Sequence, residues 1–298
     1  MTEARGRAVE AMGLGGGPPR PAPAAIPLVP VPGSEGRAGG DLLSPRNRPL
    51  LEELARGRLL VAFDYDGVLA PLARTPDGAR MRPGTRRLLR RVSLRYPVAV
   101  VSGRAYRDLK GFVGEAAPVL VGNHGFELGR EVKVPKAVLE RVQGWRRELA
   151  PRLARIPGAY VEDKRSTLSV HYGLSPRPAL AGAAVVAATQ ALHGARLVPG
   201  KKVVNVLPAH FPTKGDAVRV LLARGGLETA LYLGDDVTDE DVFALGEPAV
   251  VGVRVGPGRT LAAHRLRSQA EVDGFLEILV ALRRPARAAP ARRRRVRT

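Results

Sequence analysis

The chain is predicted to fold as an α/β protein, a doubly wound, Rossmann-like parallel sheet with a smaller α/β cap domain inserted into it. Three observations predict this. Short apolar runs alternate with helix-like stretches, the pattern of a parallel sheet covered by helices on both faces. Acidic or small polar residues follow several of the apolar runs, at the strand ends where such sheets bind ligands. The alternation is interrupted over 128–207 and then resumes.

In chain order, residues 1–47 are rich in Gly, Pro and Ala with no sustained period, and are expected to be disordered. The run Leu59-Leu60-Val61-Ala62-Phe63 reads as a buried strand near the start of a core domain made of 48–127 and 208–282. A helix near 83–94, a strand at 97–101, a helix near 104–112 and a strand at 119–121 follow. The insert at 128–207 reads as a helix (136–154), strands (158–162 and 167–172), a helix (177–193) and two short strands (196–199 and 203–206). That is enough for a module of its own. The core resumes with a helix at 214–224, strands at 230–233 and 249–253, and a helix at 272–282. The Arg-rich tail, 283–298, is expected to be disordered.

Composition bounds the function. Cysteine is absent, which excludes disulfides, Cys-ligated zinc and a thiol nucleophile. No apolar run approaches the roughly 20 residues that span a membrane. The apolar stretches near the N-terminus are broken by Gly and Pro, so no signal peptide is expected and the cytoplasm is the expected location. The net charge is +20, but 283–298 hold eight Arg and no acid, and the other arginines are scattered. This argues against nucleic acid as the main partner. A small-molecule substrate and a monomer or weak oligomer are expected.

The chemistry starts at Asp64-Tyr65-Asp66-Gly67, just past the first buried strand. In extended backbone the two carboxylates, at i and i+2, point to one side. Such a pair can hold a divalent cation and supply both a nucleophile and an acid–base. Gly67 suits a sharp turn. The strand before the pair is too apolar for an ordinary surface turn. A calcium loop is excluded because its fifth and twelfth positions are Val68 and Thr75. Ser102 and Gly103 follow the next strand and lead into a helix, where backbone N–H groups form an anion site. Lys214 opens a core helix against the helix dipole, and a nearby anion gives a reason for it. The chain has 41 Arg and seven Lys, so the choice of a compact ammonium here is informative. Finally, Asp235-Asp236-Val237-Thr238-Asp239-Glu240-Asp241 follow an apolar run. Acids stacked this closely repel unless a cation sits among them, which points to Mg²⁺ held by Asp64, Asp66 and Asp235.

These residues suit hydrolysis of a phosphate monoester. Asp64 attacks phosphorus and becomes a phosphoaspartate, with Mg²⁺ and Lys214 offsetting the repulsion between anions. Asp66 protonates the leaving sugar oxygen and then deprotonates water. For the first task Asp66 has to be free of strong pairing. Ser102 and Gly103 hold the transferring oxygens.

In this order the motifs resemble the haloacid dehalogenase superfamily of phosphohydrolases, and more narrowly the trehalose-6-phosphate phosphatases. The residues that carry the resemblance are Asp64-Tyr65-Asp66-Gly67 with Pro71, Ser102-Gly103-Arg104, Asn123-His124-Gly125, Glu162-Asp163-Lys164 leading to His171-Tyr172, Lys214-Gly215, and Gly234 through Phe243. The resemblance implies a cap that closes over the sugar and hydrolysis of trehalose 6-phosphate to trehalose and phosphate. It also implies sugar contacts from Glu162 and Lys164, with Arg104, His124 and Asn205 as further substrate-binding positions. Asn205 stands where the family usually has Glu, and Gly173 where a basic residue is common. Another sugar phosphate, glucosyl or mannosyl, is the alternative substrate, and a phosphomutase the alternative reaction.

Overall fold

The computed structural model describes residues 40–283 apart from Arg74, Arg130, Glu131 and Glu247. The expectations for 1–39 and for 284–298 lie outside the described residues. In chain order the structure begins with β1 (Gly40–Asp41), α1 (Arg48–Arg56), β2 (Leu59–Phe63), α2 (Pro83–Ser93), β3 (Val98–Val101), α3 (Tyr106–Val113), β4 (Val119–Gly122) and β5 (Glu127–Leu128). There follow α4 (Lys136–Leu153), β6 (Tyr160–Asp163), β7 (Leu168–His171), α5 (Pro178–Gln190), β8 (Ala195–Gly200) and β9 (Val203–Pro208). The chain returns with α6 (Lys214–Gly225), β10 (Thr229–Gly234), α7 (Glu240–Phe243), β11 (Val250–Val255), β12 (His264–Leu266) and α8 (Val272–Leu282).

Eight strands form one sheet in the order β1-β12-β11-β10-β2-β3-β4-β5, parallel except for the last pair. From β2 the chain winds outward through β3 and β4. It comes back to the other side of β2 as β10 and winds outward again through β11 and β12. The reversal between β2 and β10 opens a crevice at their C-terminal ends, the place where such sheets bind ligands. The pleat explains why the strand runs are wholly apolar. Leu59, Val61 and Phe63 join Leu231 and Leu233 on one face, while Leu60 and Ala62 join Ala230 and Tyr232 on the other. Helices α1, α2, α3 and α8 cover the first face, and α6 and α7 the second. A sheet covered on both faces requires apolar residues at every strand position.

The second sheet is antiparallel, in the order β6-β7-β9-β8. Its apolar face packs with α4 and α5 around Trp145, Leu168, Val170, Val185 and Val206, a core separate from the two above. Among the described residues no helix is long and apolar enough to cross a membrane.

Two expectations need correction, and four elements were not anticipated. Residues 40–47 are not featureless: β1 extends the main sheet beside β12, and Leu42 is fully buried against it. Its pairing partner lies more than 200 residues away, beyond the reach of local composition. The helix expected from 104 starts at Tyr106, because Ser102 to Ala105 form a loop whose end is fixed by Tyr106 N–H donating to Glu127 Oε2. The elements β5, α7 and β12 are too short to carry a periodic signal, whereas α1 places Leu50, Leu51, Leu54 and Ala55 on one face and was overlooked.

Leu231 is fully buried in β10, in the middle of the sheet. Leu231→Ala is expected to lower stability by about 3 kcal/mol, the usual range for such truncations being roughly 2–5. Urea denaturation against the unsubstituted protein measures this, and a loss below about 1 kcal/mol contradicts the packing described.

Candidate active site

The crevice between β2 and β10 receives the two acidic segments. Asp64 follows β2, and its N–H donates to Leu233 O at 2.8 Å. The chain then turns sharply. Leu69 and Ala70 N–H both donate to Tyr65 O, and Gly67 N–H donates to Ala70 O. Tyr65 points into the apolar core with its hydroxyl on Ala79 O, so Asp64 and Asp66 fall on the opposite, open side. Gly67 has φ +75, and a Cβ there would lie 2.0 Å from Asp235 Oδ2. The turn and the close approach of Asp235 both require glycine.

Lys214 is the electrostatic centre. Thr213 and Asp216 form a capping box that fixes the first turn of α6, and this aims Lys214 back into the crevice. Its Nζ donates to Asp64 Oδ2 at 2.9 Å and to Asp239 Oδ1 at 2.8 Å, with the side chain only 2% exposed. Burial alone lowers a lysine, but Asp239 and Asp64 outweigh it and hold the ammonium above its usual range. Asp239 is saturated: it also accepts from Tyr232 OH and from the N–H groups of Asp235 and Asp236.

Asp64, Asp235 and Asp239 each offer an oxygen, all within 4.8 Å of one another. Burial pushes Asp64 well above the carboxylate range, with Lys214 opposing and Asp239 and Asp235 reinforcing. Burial likewise raises Asp235 to about 6, against the pull of Lys201. Asp64 and Asp235 bring carboxylate oxygens suited to a hard divalent cation, while Asp239 beside them is spent on Lys214, Tyr232 and two backbone N–H groups. The ligand set expected from the sequence shares Asp64 and Asp235 with this group. Asp66 is not in the group, because both its oxygens are taken by Arg104, at 2.8 Å from Nε and 2.7 Å from Nη2. The guanidinium stacks over Phe112 and Tyr65, which sets its plane for this bidentate contact.

A cleft of about 940 Å³ lies over this cluster and is lined from both sheets. Asp64, Asp66, Ser102, Gly103, Arg104, His124, Lys214 and Asp235 face it from the main sheet. Glu162, Lys164 and Asn205 face it from the second. The cleft therefore gathers the residues expected to act in catalysis and in phosphate, sugar and metal binding. Their partners differ from expectation in two respects. Ser102 and Gly103 lie ahead of α3 in the loop, with Ser102 Oγ accepting from Arg104 N–H, so no helix N-terminus faces the cleft there. Asn205 Oδ1 accepts from Ser169 Oγ and its Nδ2 donates to Val198 O. Much of its hydrogen-bonding capacity is spent inside the second sheet.

The remaining groups are ordered. Lys164 Nζ donates to Gly103 O at 3.1 Å, joining the two sheets across the cleft. Glu162 Oε2 meets His171 Nε2 at 2.7 Å, and His171 stacks on Tyr160. Burial alone raises Glu162, but His171 and Lys164 reverse this and hold it below the usual range. Asn123, His124 and Gly125 all have positive φ, a turn that backs the Ser102 loop through His124 N–H donating to Ser102 O. Burial and the surrounding Lys164 and Lys214 keep His124 well below the usual histidine range, so the ring is neutral. Its Nδ1 has no hydrogen-bond partner.

Sequence reasoning missed the roles of Asp239, His171 and Lys201. For Lys201 the signal was present: four of the seven lysines of this Arg-rich chain, 164, 201, 202 and 214, line the cleft.

Comparison with known proteins agrees with this geometry. The family model described as trehalose-phosphatase matches residues 62–265. A rice protein (Oryza sativa subsp. japonica) described as probable trehalose-phosphate phosphatase 9 is 33% identical, covering 77% of this chain and 72% of that protein. A trehalose-phosphate phosphatase of Mycobacterium bovis (strain BCG / Pasteur 1173P2) is 31% identical, covering 82% of this chain and 66% of that protein. The solved C-terminal domain of trehalose-6-phosphate phosphatase from C. albicans has a TM-score of 0.68 at 26% identity, over 79% of this chain and 98% of that one.

Lys214→Met leaves Asp64 and Asp239 without their buried counter-ion. In chelator-treated protein this is expected to cost about 3–5 kcal/mol at neutral pH. Asp64 and Asp235 already titrate above their ordinary value of 3.8 in the folded state. Folding therefore weakens as pH rises from the unfolded value through the folded one. The deficit of the variant should shrink between about pH 8 and about pH 5, read by urea denaturation at each pH. A deficit that grows on acidification contradicts the charge balance.

Proposed function

Because this chain belongs to the trehalose-phosphatase family, we propose that it hydrolyses trehalose 6-phosphate to trehalose and phosphate. The observation that carries this reading is the meeting, in one cleft, of a phosphoryl-transfer cluster and a sugar-binding wall. Asp64, Ser102, Lys214 and Asp235 line it from one side, and Glu162, Lys164 and His171 from the other.

Asp64 is the nucleophile. One of its oxygens is fixed by Lys214 and the other by Tyr65 N–H, so the carboxylate is aimed before substrate arrives. The bond formed joins Asp64 to phosphorus, and the bond broken joins phosphorus to the sugar oxygen. Lys214, Ser102 and Gly103 receive the transferring phosphoryl group, Lys214 as the fixed positive charge and Ser102-Gly103 as hydrogen-bond donors. Asp64 and Asp235, with Asp66 beside them, would hold Mg²⁺, which would neutralise charge on the transferring group.

Asp66 protonates the leaving sugar oxygen and then takes a proton from the water that hydrolyses the phosphoaspartate. In the conformation described it is clamped by Arg104. Both of its oxygens accept N–H bonds from the guanidinium and neither is free to meet the leaving oxygen, so the first step requires Arg104 to move from Asp66 to the substrate. This makes Arg104 a substrate-binding residue and a gate on Asp66 at once.

Residues 128–207 act as the cap over the sugar. Glu162 and Lys164 present an acceptor and a donor to sugar hydroxyls, which both give and accept hydrogen bonds. His124 lines the cleft beside them, with its side chain hydrogen-bonded to Asn205. Asn205 brings no charge to this wall and is already bonded to Ser169 and Val198. That observation favours one second reading, in which a different glucosyl or mannosyl phosphate is the better substrate.

A panel of sugar phosphates assayed for phosphate release with Mg²⁺ separates these readings. Trehalose 6-phosphate is expected to be turned over best, and chelation to abolish release. Rapid hydrolysis of another ester with none of trehalose 6-phosphate overturns the substrate. Asp64→Asn is expected to reduce release to background and to leave no acid-trapped phosphoenzyme, and retained turnover in that variant overturns the mechanism.

A further inference from the structure

Lys201 sits at the tip of the hairpin made by β8 and β9, and its Nζ donates to Asp235 Oδ2. Asp235 is one of the three core carboxylates that converge on a prospective cation. The hairpin is thus joined to the catalytic cluster by an ion pair between a half-exposed ammonium (52%) and a buried carboxylate (5%).

The tip is built onto the acidic loop. Its two central residues are Lys201 and Lys202, and Lys202 is held at φ +60. Glycine or asparagine is the usual occupant of such a position, so turn preference does not explain the choice of lysine. The preceding residue, Gly200, lies so near the same loop that a Cβ there would be 3.3 Å from Asp236 Oδ2. The ammonium on Asp235 and the tip on Asp236 are two separate contacts between the hairpin and the residues that follow β10.

An oxygen that accepts from an ammonium is not free to ligate a cation on the same side, and two cations on one carboxylate repel. Resting on the phosphatase reading of the site, we propose that Lys201 is a built-in counter-ion that competes with the divalent cation for Asp235, so that metal binding releases the hairpin tip from the core. The coupling is reciprocal: whatever holds the hairpin down weakens the metal, and the metal lifts the hairpin by the same free energy. Once released, the ammonium stays on the cleft wall beside Lys202, where the phosphate of an incoming ester is its natural partner.

Calorimetric titration of Mg²⁺ into the metal-stripped full chain tests this, using the wild type, Lys201→Ala, Lys201→Arg and Lys202→Ala. Lys201→Ala is expected to bind Mg²⁺ about two- to fivefold more tightly, the scale of a partly exposed ion pair. Lys201→Arg and Lys202→Ala are expected to match the wild type. A gain of affinity cannot come from damage to the site, which weakens binding. As a second readout, hydrogen exchange across 195–208 should rise when Mg²⁺ is added to the wild type, and should already be raised in metal-free Lys201→Ala. Equal or weaker Mg²⁺ binding by Lys201→Ala, with trehalose 6-phosphate hydrolysis intact in the wild type, overturns this proposal alone. A wild type that binds no Mg²⁺ overturns the phosphatase reading and this proposal together.

Discussion

A lysine ammonium shut away from water between two carboxylates sets the constraints on this molecule. Lys214 is stable in that position only because Asp64 and Asp239 replace its hydration, and each of these needs fixing in turn. Asp239 is fixed by a tyrosine hydroxyl and two backbone N–H groups, and Asp64 by the end of β2 and the N–H of Tyr65. The capping box of α6, the glycine turn after Asp66 and the register of β10 against β2 can be understood as conditions for assembling this set. The same set leaves the crevice short of positive charge. Its carboxylates outnumber the buried ammonium, and the crevice excludes the water that otherwise screens them.

Much of this was legible in the sequence, for reasons that differ by element. The central strands could be read because a sheet covered on both faces turns each strand into an unbroken apolar run, as in Leu59–Phe63. Asp64 and Asp235 could be read because a charge next to such a run has no structural excuse, and Lys214 because a lysine in an Arg-rich chain opens a helix against its dipole. The pairing of the charges could not be read. Nothing in the spacing of Asp66 and Arg104, 38 residues apart, shows that a guanidinium occupies both oxygens of that carboxylate. Asp239 looked like an ordinary acid at a helix start, and its saturation by four donors is a tertiary fact. The start of α3 was misplaced for the same kind of reason, since the group that ends the preceding loop, Glu127, comes from a later strand. Edge strands of two or three residues, such as Gly40–Asp41, have no period to detect.

The two sheets meet in a chemically distinct manner from the way each is held together. Each has its own apolar core. The contacts named across the cleft are polar: Lys164 on Gly103 O, and Lys201 on Asp235. Polar contacts of this kind exchange readily with water or with a charged ligand, whereas buried apolar ones do not. Substrate can therefore compete for the groups that close the cleft without disturbing either core. Specificity and closure then reside in the same few side chains.

The reversal of winding between β2 and β10 has a consequence for how the molecule is made. Asp64 follows one strand and Asp235 follows its neighbour, yet the whole of the second sheet is threaded between them. During synthesis on a ribosome, β2, β3 and β4 emerge long before the strand that must pair with β2 on its other edge, and that edge stays open until β10 arrives. Contacts between residues so far apart in the chain are formed late and slowly. Catalytic competence should then be among the last properties a nascent or refolding molecule acquires, and its return reports correct strand order more stringently than recovery of secondary structure does.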